Sequence, residues 1–219
     1  MARDIAIVLN SGSMNSAVVT ALAAQRYRVV MLHAEITEPG SSRLRAAYDQ
    51  QVDHFKPHRE HAMPMNFLSG IASTASLGST VVDTRQESAR AMQLLALLPL
   101  IGSAARFAAH YQAAAIYTGL RVGPGGDELA QATEFTQICN ELIQLPCKQP
   151  EVELVMPILE LEPWQVVDLG FQVAAPLEKS WSCSTEANDP CWSCPGCRSR
   201  EAAFNQAVKA DPLKTPRKT

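Results

Sequence analysis

The fold is constrained most by an alternation of short, uninterrupted apolar runs with longer stretches of helical periodicity. Five candidate strands occupy residues 4–10, 28–36, 60–65, 114–119 and 152–158. The first, second and fourth are continuous apolar runs, as expected for strands buried on both faces of a parallel sheet. Candidate helices lie between them at residues 16–26, 42–54, 86–112 and 128–145. This alternation predicts an α/β fold with a doubly wound, mostly parallel sheet that binds ligands at the carboxyl ends of its strands.

Two segments interrupt this regular pattern. Pro99 lies inside the third helical stretch, where proline removes a main-chain donor, so we expect either two helices or one bent helix. Residues 69–84 are rich in Ser, Thr, Gly and Ala and have no clear periodicity. They predict a long loop, which is either a flap beside the ligand site or a surface insertion without fixed structure.

Size and charge exclude several classes of protein. A chain of 219 residues is enough for one domain, alone or with a small appendage. Its formal net charge of -3 argues against direct nucleic-acid binding. The sequence has no unbroken apolar run of about 18 residues that would predict a membrane span, and its start does not resemble a signal peptide. We therefore expect a cytoplasmic protein, in which cysteines bind metal, act in catalysis or are buried.

The strongest local signal is a group of four cysteines near the end of the sequence. Seven, two and two residues separate its members, which are Cys183, Cys191, Cys194 and Cys197. Two-residue spacers let neighbouring thiolates converge on one ion, and four thiolates complete the tetrahedral shell of Zn²⁺ with no position left for water. The spacing predicts a structural zinc site, with an iron–sulfur cluster as the alternative. Cys139 and Cys147 lie outside the pattern and are predicted to be core or near-surface thiols.

A loop of small residues follows the first candidate strand. The segment runs through Leu9, Asn10, Ser11, Gly12, Ser13, Met14, Asn15 and Ser16. A strand, a small-residue loop and a helix N-terminus together make an anion site, because main-chain N–H groups and the helix dipole both favour negative charge. A serine-rich turn that merely caps the helix would have the same sequence. The residues alone leave both interpretations open.

Both motifs resemble those of one known family. Ser11 to Ser16 resembles the Ser-Gly-Gly-x-Asp-Ser loop of the PP-loop ATP pyrophosphatases. Trp181-Ser182 before the cysteines, and Ala203-Phe204 after them, resemble the terminal zinc module of the 7-cyano-7-deazaguanine (preQ0) synthases. Segments 116–119, 156–158 and 166–170 resemble further elements of that family in the same order. The resemblance extends from the first strand to about residue 205.

This resemblance implies a domain organisation and an activity. Residues 1–178 would form a PP-loop α/β nucleotide-binding domain, 179–210 a four-cysteine zinc module with a terminal helix, and 211–219 a tail. The family converts 7-carboxy-7-deazaguanine and ammonia into the 7-cyano compound through an acyl adenylate. It therefore implies ATP with Mg²⁺, bound by residues 9–16, a small-molecule deazapurine substrate, and a homodimer. It identifies no catalytic residue in this chain.

Several positions depart from the family's pattern. Ser13 replaces the second glycine of the loop, which narrows the phosphate cradle. Asn15 replaces its acidic residue, which removes a charge that favours Mg²⁺. Apolar residues 96–98 stand where the family has an Arg-Asn pair, and residues 35–39 and 123–128 replace two further substrate-facing segments.

Three functions are compatible with these departures. The first is the ATP-dependent ligase itself, with Arg121, Asp127 and Glu128 as candidate substrate contacts. The second retains adenylation but transfers the deazaguanine acyl group to another acceptor, such as an amine of a protein. The third is a non-catalytic member of the fold that binds a nucleotide or a partner.

Overall fold

The computed structural model describes residues 4–37, 39–69, 85–144 and 152–214, of which residues 85–93 are described by their main chain alone. Five parallel strands form one sheet in the order β3-β2-β1-β4-β5. The strands are β1 (Ile5–Leu9), β2 (Arg28–Glu35), β3 (Arg59–Pro64), β4 (Ala115–Thr118) and β5 (Glu153–Val155). The helices are α1 (Met14–Arg26), α2 (Ser41–Phe55), α3 (Arg85–Tyr111), α4 (Gly126–Gln144), α5 (Pro163–Gln172) and α6 (Pro195–Gln206), with a 3₁₀ turn at Leu177–Lys179.

Strand β1 lies at the centre of the sheet and sends alternate side chains to opposite faces. Ala6 and Val8 pack with one apolar cluster, which includes residues of α1, α2, α5 and α6. Ile7 and Leu9 pack with a second cluster, which includes residues of α3 and α4. Helices therefore cover both faces, and this explains why β1 is apolar at every position. The predicted doubly wound parallel sheet is confirmed.

The boundaries differ from the sequence prediction at several elements. Helix α1 begins at Met14 rather than Ser16, because Ser13 serves as its N-cap and accepts a hydrogen bond from the Ser16 N–H. Strand β5 ends at Val155 instead of continuing to residue 158, and a turn follows it. Most of the predicted loop at 69–84 lies outside the described residues, as does Cys147.

Helix α3 continues through Pro99 as one helix. The alternative of two separate helices is therefore wrong. Its buried residues Ile101, Ala104 and Ala108 recur at helical spacing and pack in the second cluster, so tertiary contacts support the helix on the C-terminal side of the proline.

Within the described residues, one helical window could cross a membrane by length and composition. It is Leu94–Tyr111 of α3, with a mean hydropathy of 1.3, whereas the sequence had led us to expect no such segment. The same segment packs against the sheet through its buried residues. A core helix meets the same criterion, so this window is weak evidence for a membrane span.

Candidate functional site

The loop between β1 and α1 lies where the order of the sheet reverses. The chain proceeds from β1 to β2 and β3 on one side, and β4 and β5 lie on the other side. At such a reversal the connections leave in opposite directions, which opens a crevice beyond the carboxyl ends of the central strands. Residues 9–16 occupy this position.

Gly12 lets the loop pack tightly against α2. Its φ is +84°, and a Cβ added there would lie 2.1 Å from the carbonyl oxygen of Leu44. Only glycine is compatible with both the left-handed backbone and this contact. The loop conformation thus depends on a contact with the main chain of Leu44, which is 32 positions away in sequence.

Three serine hydroxyls meet at the N-terminus of α1. The Ser11 Oγ lies 3.0 Å from both the Ser13 Oγ and the Ser16 Oγ, and the last two are 3.1 Å apart. The main-chain N–H of Ser11 also donates to the Ser16 Oγ, at 3.2 Å. Hydroxyl groups can reorient to donate to an anion, and the first turn of a helix adds N–H groups without intrahelical partners. This triangle, which we call the serine triangle, is suited to binding a phosphate group.

Asn15 connects the loop to the other side of the crevice. Its Nδ2 donates to the carbonyl oxygen of Gly119, directly after β4, at 3.3 Å. Asn10 is different, because it is only 2% exposed and its side chain is used inside the protein. Seven of the eight predicted binding residues line one or both of the clefts beside the loop, and Gly12 is the exception. Among the seven, Asn10 uses its side chain in hydrogen bonds behind the loop.

Several clefts border the serine triangle, and two of them include residues at the N-terminus of α1. One, of about 300 Å³, lies toward α3 and is walled by apolar side chains that include Ile36, Leu97 and Leu100. The other, of about 380 Å³, lies between the start of α1 and the cysteine-rich segment. Its lining includes Met14 and Trp181. Each has room for a small heterocycle, and Ser13 and Asn15 belong to both.

The predicted substrate contacts are only partly brought together. Arg121 lines the cleft beside the cysteine-rich segment, and its Nη1 donates to the carbonyl oxygen of Leu161 at 3.3 Å. Asp127 and Glu128 lie in the first turn of α4. Neither lines the two clefts described here, so the geometry supports a site role for Arg121 alone among the three.

The four predicted cysteine ligands converge. Their Sγ atoms all lie within 4.8 Å of one another, with 3.5 Å between Cys183 and Cys191 and 3.9 Å between Cys183 and Cys194. Four sulfurs bound 2.3 Å from a tetrahedral Zn²⁺ would be separated by about 3.8 Å. The donor set and spacing therefore fit one tetrahedral ion. Cys139 is buried in the second apolar cluster, as expected for a core thiol.

Hydrogen bonds and burial shift the pKa values of three of these thiols. Main-chain N–H groups of Ser184 and Cys197 lower the pKa of Cys194 to about 5. Hydrogen bonds from Ser193 lower that of Cys191 to about 7. Burial raises the pKa of Cys197 to about 12, so this thiol needs a bound cation to lose its proton at neutral pH. A Cβ at Gly196 would lie 1.9 Å from the Ser182 carbonyl oxygen, so the turn between the last two cysteines requires glycine.

The cysteine-rich segment also contacts α2. The carboxylate of Glu186 accepts hydrogen bonds from the Gly40 N–H, at 2.7 Å, and from the Ser42 hydroxyl. Gly40 is the N-cap of α2 and offers no side chain of its own. Glu186 therefore joins the start of α2 to the cysteine-rich segment across 146 residues of sequence, beside one wall of the cleft.

Gln51 is one of several buried polar residues behind the loop that were not predicted, together with Thr20 and His33. Gln51 is fully buried, and its amide bonds both Asn10 and the main chain of Gly12. The sequence carried a signal, since Gln51 shares the helical face of Ala47 and Tyr48, which a core-facing stripe would fill with apolar residues.

Comparisons with known proteins agree with this geometry. A family model described as queuosine biosynthesis protein QueC matches residues 5–208. A 7-cyano-7-deazaguanine synthase of Chloroherpeton thalassium is 28% identical, and the match covers 95% of each chain. One of Acidobacterium capsulatum is 24% identical over 96% of each chain. In fold, the chain is similar to an NMN synthetase of Francisella tularensis, with a TM-score of 0.50 and 12% identity over 95% of this chain and 79% of that one.

Proposed function

We propose that this chain, which belongs to the queuosine biosynthesis protein QueC family, is an ATP-dependent ligase. Its product would be 7-cyano-7-deazaguanine or a close relative. Its substrates would be 7-carboxy-7-deazaguanine, ammonia and ATP. The single observation that carries this proposal is the serine triangle at the N-terminus of α1, in the crevice where the sheet order reverses. A phosphate bound there would lie beside both clefts.

The chemistry requires two activations. A carboxylate oxygen attacks the α-phosphorus of ATP and pyrophosphate leaves, which gives an acyl adenylate. Ammonia then attacks the acyl carbon, AMP leaves, and the product is a primary amide. The amide oxygen attacks the α-phosphorus of a second ATP, pyrophosphate leaves again, and loss of AMP with that oxygen and two protons yields the nitrile. Each step spreads negative charge over phosphate oxygens, so the protein acts mainly by positioning and by electrostatic stabilisation.

The residues of the loop supply both effects. Ser11, Ser13 and Ser16 would donate hydroxyl hydrogen bonds to the phosphates, and the N-terminus of α1 would add its dipole. Magnesium would enter with ATP, and the Oδ1 of Asn15 could ligate it as a neutral oxygen. Because Asn15 has no charge, we expect this chain to hold Mg²⁺ less tightly than a chain with a carboxylate at that position.

We assign the deazapurine to the cleft beside the cysteine-rich segment. Trp181 offers an aromatic surface to a heterocycle, and Arg121 places a positive charge where a carboxylate could bind. The four cysteines would hold Zn²⁺, which stabilises the segment that forms this wall and takes no part in the reaction. Assembly as a homodimer and a cytoplasmic location remain predictions.

The test is a reaction of purified, zinc-loaded protein with Mg²⁺-ATP, 7-carboxy-7-deazaguanine and ammonium, followed by mass spectrometry. We expect nitrile, with two AMP formed for each nitrile. Amide without nitrile would restrict the protein to the first activation. Absence of both nucleotide binding and product would refute the ligase.

A re-purposed or non-catalytic family member is the second candidate. It is favoured by two observations at one place: Asn15 lacks the charge of a carboxylate, and the cleft toward α3 is walled by Ala96, Leu97 and Leu100. An Asn15→Asp variant separates the two candidates. A weakened ligase gains Mg²⁺-dependent turnover in this variant, whereas a binding protein gains none. If adenylate forms but ammonia does not accept the acyl group, a mass increase on a co-expressed partner would identify a protein acceptor.

A further inference from the structure

The phosphate-facing loop is held from behind by a buried amide network. Gln51 of α2 is fully buried. Its Nε2 donates to the carbonyl oxygens of Gly12 at 3.1 Å and of Lys179 at 3.0 Å, and its Oε1 accepts from the Nδ2 of Asn10 at 2.9 Å. Asn10 in turn accepts the Gly12 N–H through its Oδ1 at 2.7 Å. Gly12 is thus held at both its N–H and its C=O.

The orientation of one peptide group follows from these contacts. The Gly12 carbonyl oxygen accepts two hydrogen bonds, from Gln51 and from the Trp181 N–H at 3.0 Å. In a trans peptide the C=O and the following N–H point in opposite directions. Holding the Gly12 carbonyl inward therefore directs the Ser13 N–H away from Gln51. A reversed peptide would instead present a carbonyl dipole, which repels an anion.

We propose that Gln51 is a positioning residue, which keeps the Gly12–Ser13 peptide in the orientation that receives phosphate. It acts through Gly12 and contacts no ligand itself. The same side chain bonds the carbonyl of Lys179, four residues before the first cysteine of the cluster. Gln51 thereby also ties the loop to the segment that leads into the metal site. The inference rests on the proposed function in one respect, that the anion is the phosphate of ATP.

The neighbouring residue provides matched controls. Gln50 is exposed on the same helix, whereas Gln51 is buried. Gln51→Met keeps a similar volume but removes the amide. The variant is expected to fold, since Gly12 keeps its bond from Trp181 and Asn10 keeps its bond to Thr20. Gln50→Met makes the same change on the solvent side.

Two measurements test the proposal on the zinc-loaded protein. The first is the rate of amide hydrogen exchange in a peptide that covers residues 10–16, which measures how firmly the loop is held. The second is the affinity for Mg²⁺-ATP, measured by titration. In Gln51→Met we expect at least about tenfold faster exchange in the loop and about ten- to hundredfold weaker ATP binding, at unchanged metal content. Gln50→Met should behave as the wild type. Loop exchange as slow as in the wild type, or ATP affinity within about twofold of it, would overturn the proposal.

A second variant, Gln51→Glu, tests the proposal through the pH dependence of ATP affinity, which a purely structural role of Gln51 would not change. In Gln51→Glu, a carboxylate would face the carbonyls of Gly12 and Lys179. Burial raises the pKa of such a carboxyl, and its protonated form can again donate one hydrogen bond. ATP affinity should therefore recover as pH falls in Gln51→Glu but not in Gln50→Glu; no recovery would count against the proposal. If the wild type binds no ATP, the ligase proposal fails, while loop exchange in Gln51→Met still decides whether Gln51 holds the loop.

Discussion

The guanidinium of Arg200 and the carboxylate of Asp211 form a two-point ion pair inside the protein. The Nε–Oδ2 distance is 2.7 Å and the Nη2–Oδ1 distance is 2.9 Å, and the side chains are 2% and 3% exposed. The guanidinium also donates to the Ser180 Oγ at 2.8 Å and to the Leu177 carbonyl at 3.0 Å. One buried charge thus joins α6, the segment before the cysteines, and the residues that follow α6.

Removing the negative charge of Asp211 should destabilise the folded protein. Asp211→Asn leaves the Arg200 charge buried without its counter-ion, and we expect a loss of about 3–5 kcal/mol in the free energy of unfolding. Glu201→Gln is the matched control, because it breaks the exposed ion pair between Glu201 and Lys214 near the same helix. That change should cost no more than about 1 kcal/mol. Urea titration of both variants provides the measurement, and losses of equal size would contradict the buried pair's role.

The cysteine cluster should be needed for a folded C-terminal segment. Cys194→Ser removes one of four converging ligands, so we expect loss of bound metal and rapid proteolysis after residue 180. Chelation of the metal from the wild type should have the same effect. Cys139→Ala, which alters a buried thiol outside the cluster, should keep its full metal content. A stable, metal-loaded Cys194→Ser protein would refute the four-cysteine assignment.

The serine triangle makes a prediction about nucleotide affinity. Ser16→Ala removes the hydroxyl that contacts both Ser11 and Ser13. Since a hydrogen bond to a charged group contributes about 1.5–3 kcal/mol, ATP should bind roughly ten- to hundredfold more weakly. Ser103→Ala is a suitable control, because its hydroxyl bonds the Pro99 carbonyl within α3. Calorimetric titration with Mg²⁺-ATP distinguishes them, and equal affinities would place the phosphate elsewhere.

His33 predicts a dependence of stability on pH. This residue is 5% exposed, its Nδ1 donates to the Asn10 carbonyl at 3.0 Å, and burial lowers the pKa of its imidazole below 6.5. The unfolded chain therefore takes up a proton at a higher pH than the folded protein. Stability from this residue is complete above about pH 6.5 and declines as pH falls below it, by at most about 1.4 kcal/mol per pH unit.

The variant His33→Asn can retain the hydrogen bond without the titration. Its unfolding free energy should decline less steeply than that of the wild type between about pH 6.5 and pH 5. His54→Asn, on the exposed side of α2, serves as control. Parallel curves for the wild type and His33→Asn would show that the pKa of His33 is the same in the folded and unfolded states, which would contradict this prediction.

Some features could be predicted because their cause is local. The central strands were identifiable from their runs of apolar residues, since burial on both faces favours apolar side chains at most positions. The four-cysteine cluster was identifiable because two-residue spacers bring neighbouring thiols together within one turn. The loop between β1 and α1 was located, but the sequence did not show that it lies at the reversal of the strand order, because that depends on how the strands pair.

Other features could not be read from spacing, because long-range packing decides them. Pro99 suggested a break or a bend, and packing on the sheet kept α3 in one piece. Arg121, Asp127 and Glu128 lie within eight residues of sequence, but only Arg121 lines the cleft beside the cysteine-rich segment.

The sequence by itself determined the parallel sheet, the position of the loop and the four converging cysteines, because each depends on the chemistry of neighbouring residues. Only the tertiary structure brought Gln51 behind Gly12, and Trp181 beside the start of α1. Those contacts join residues from about 40 to about 170 positions apart. They form because burial of apolar surface packs the helices against the sheet. Polar groups enclosed by this packing are then hydrogen-bonded to whichever groups lie next to them in the fold.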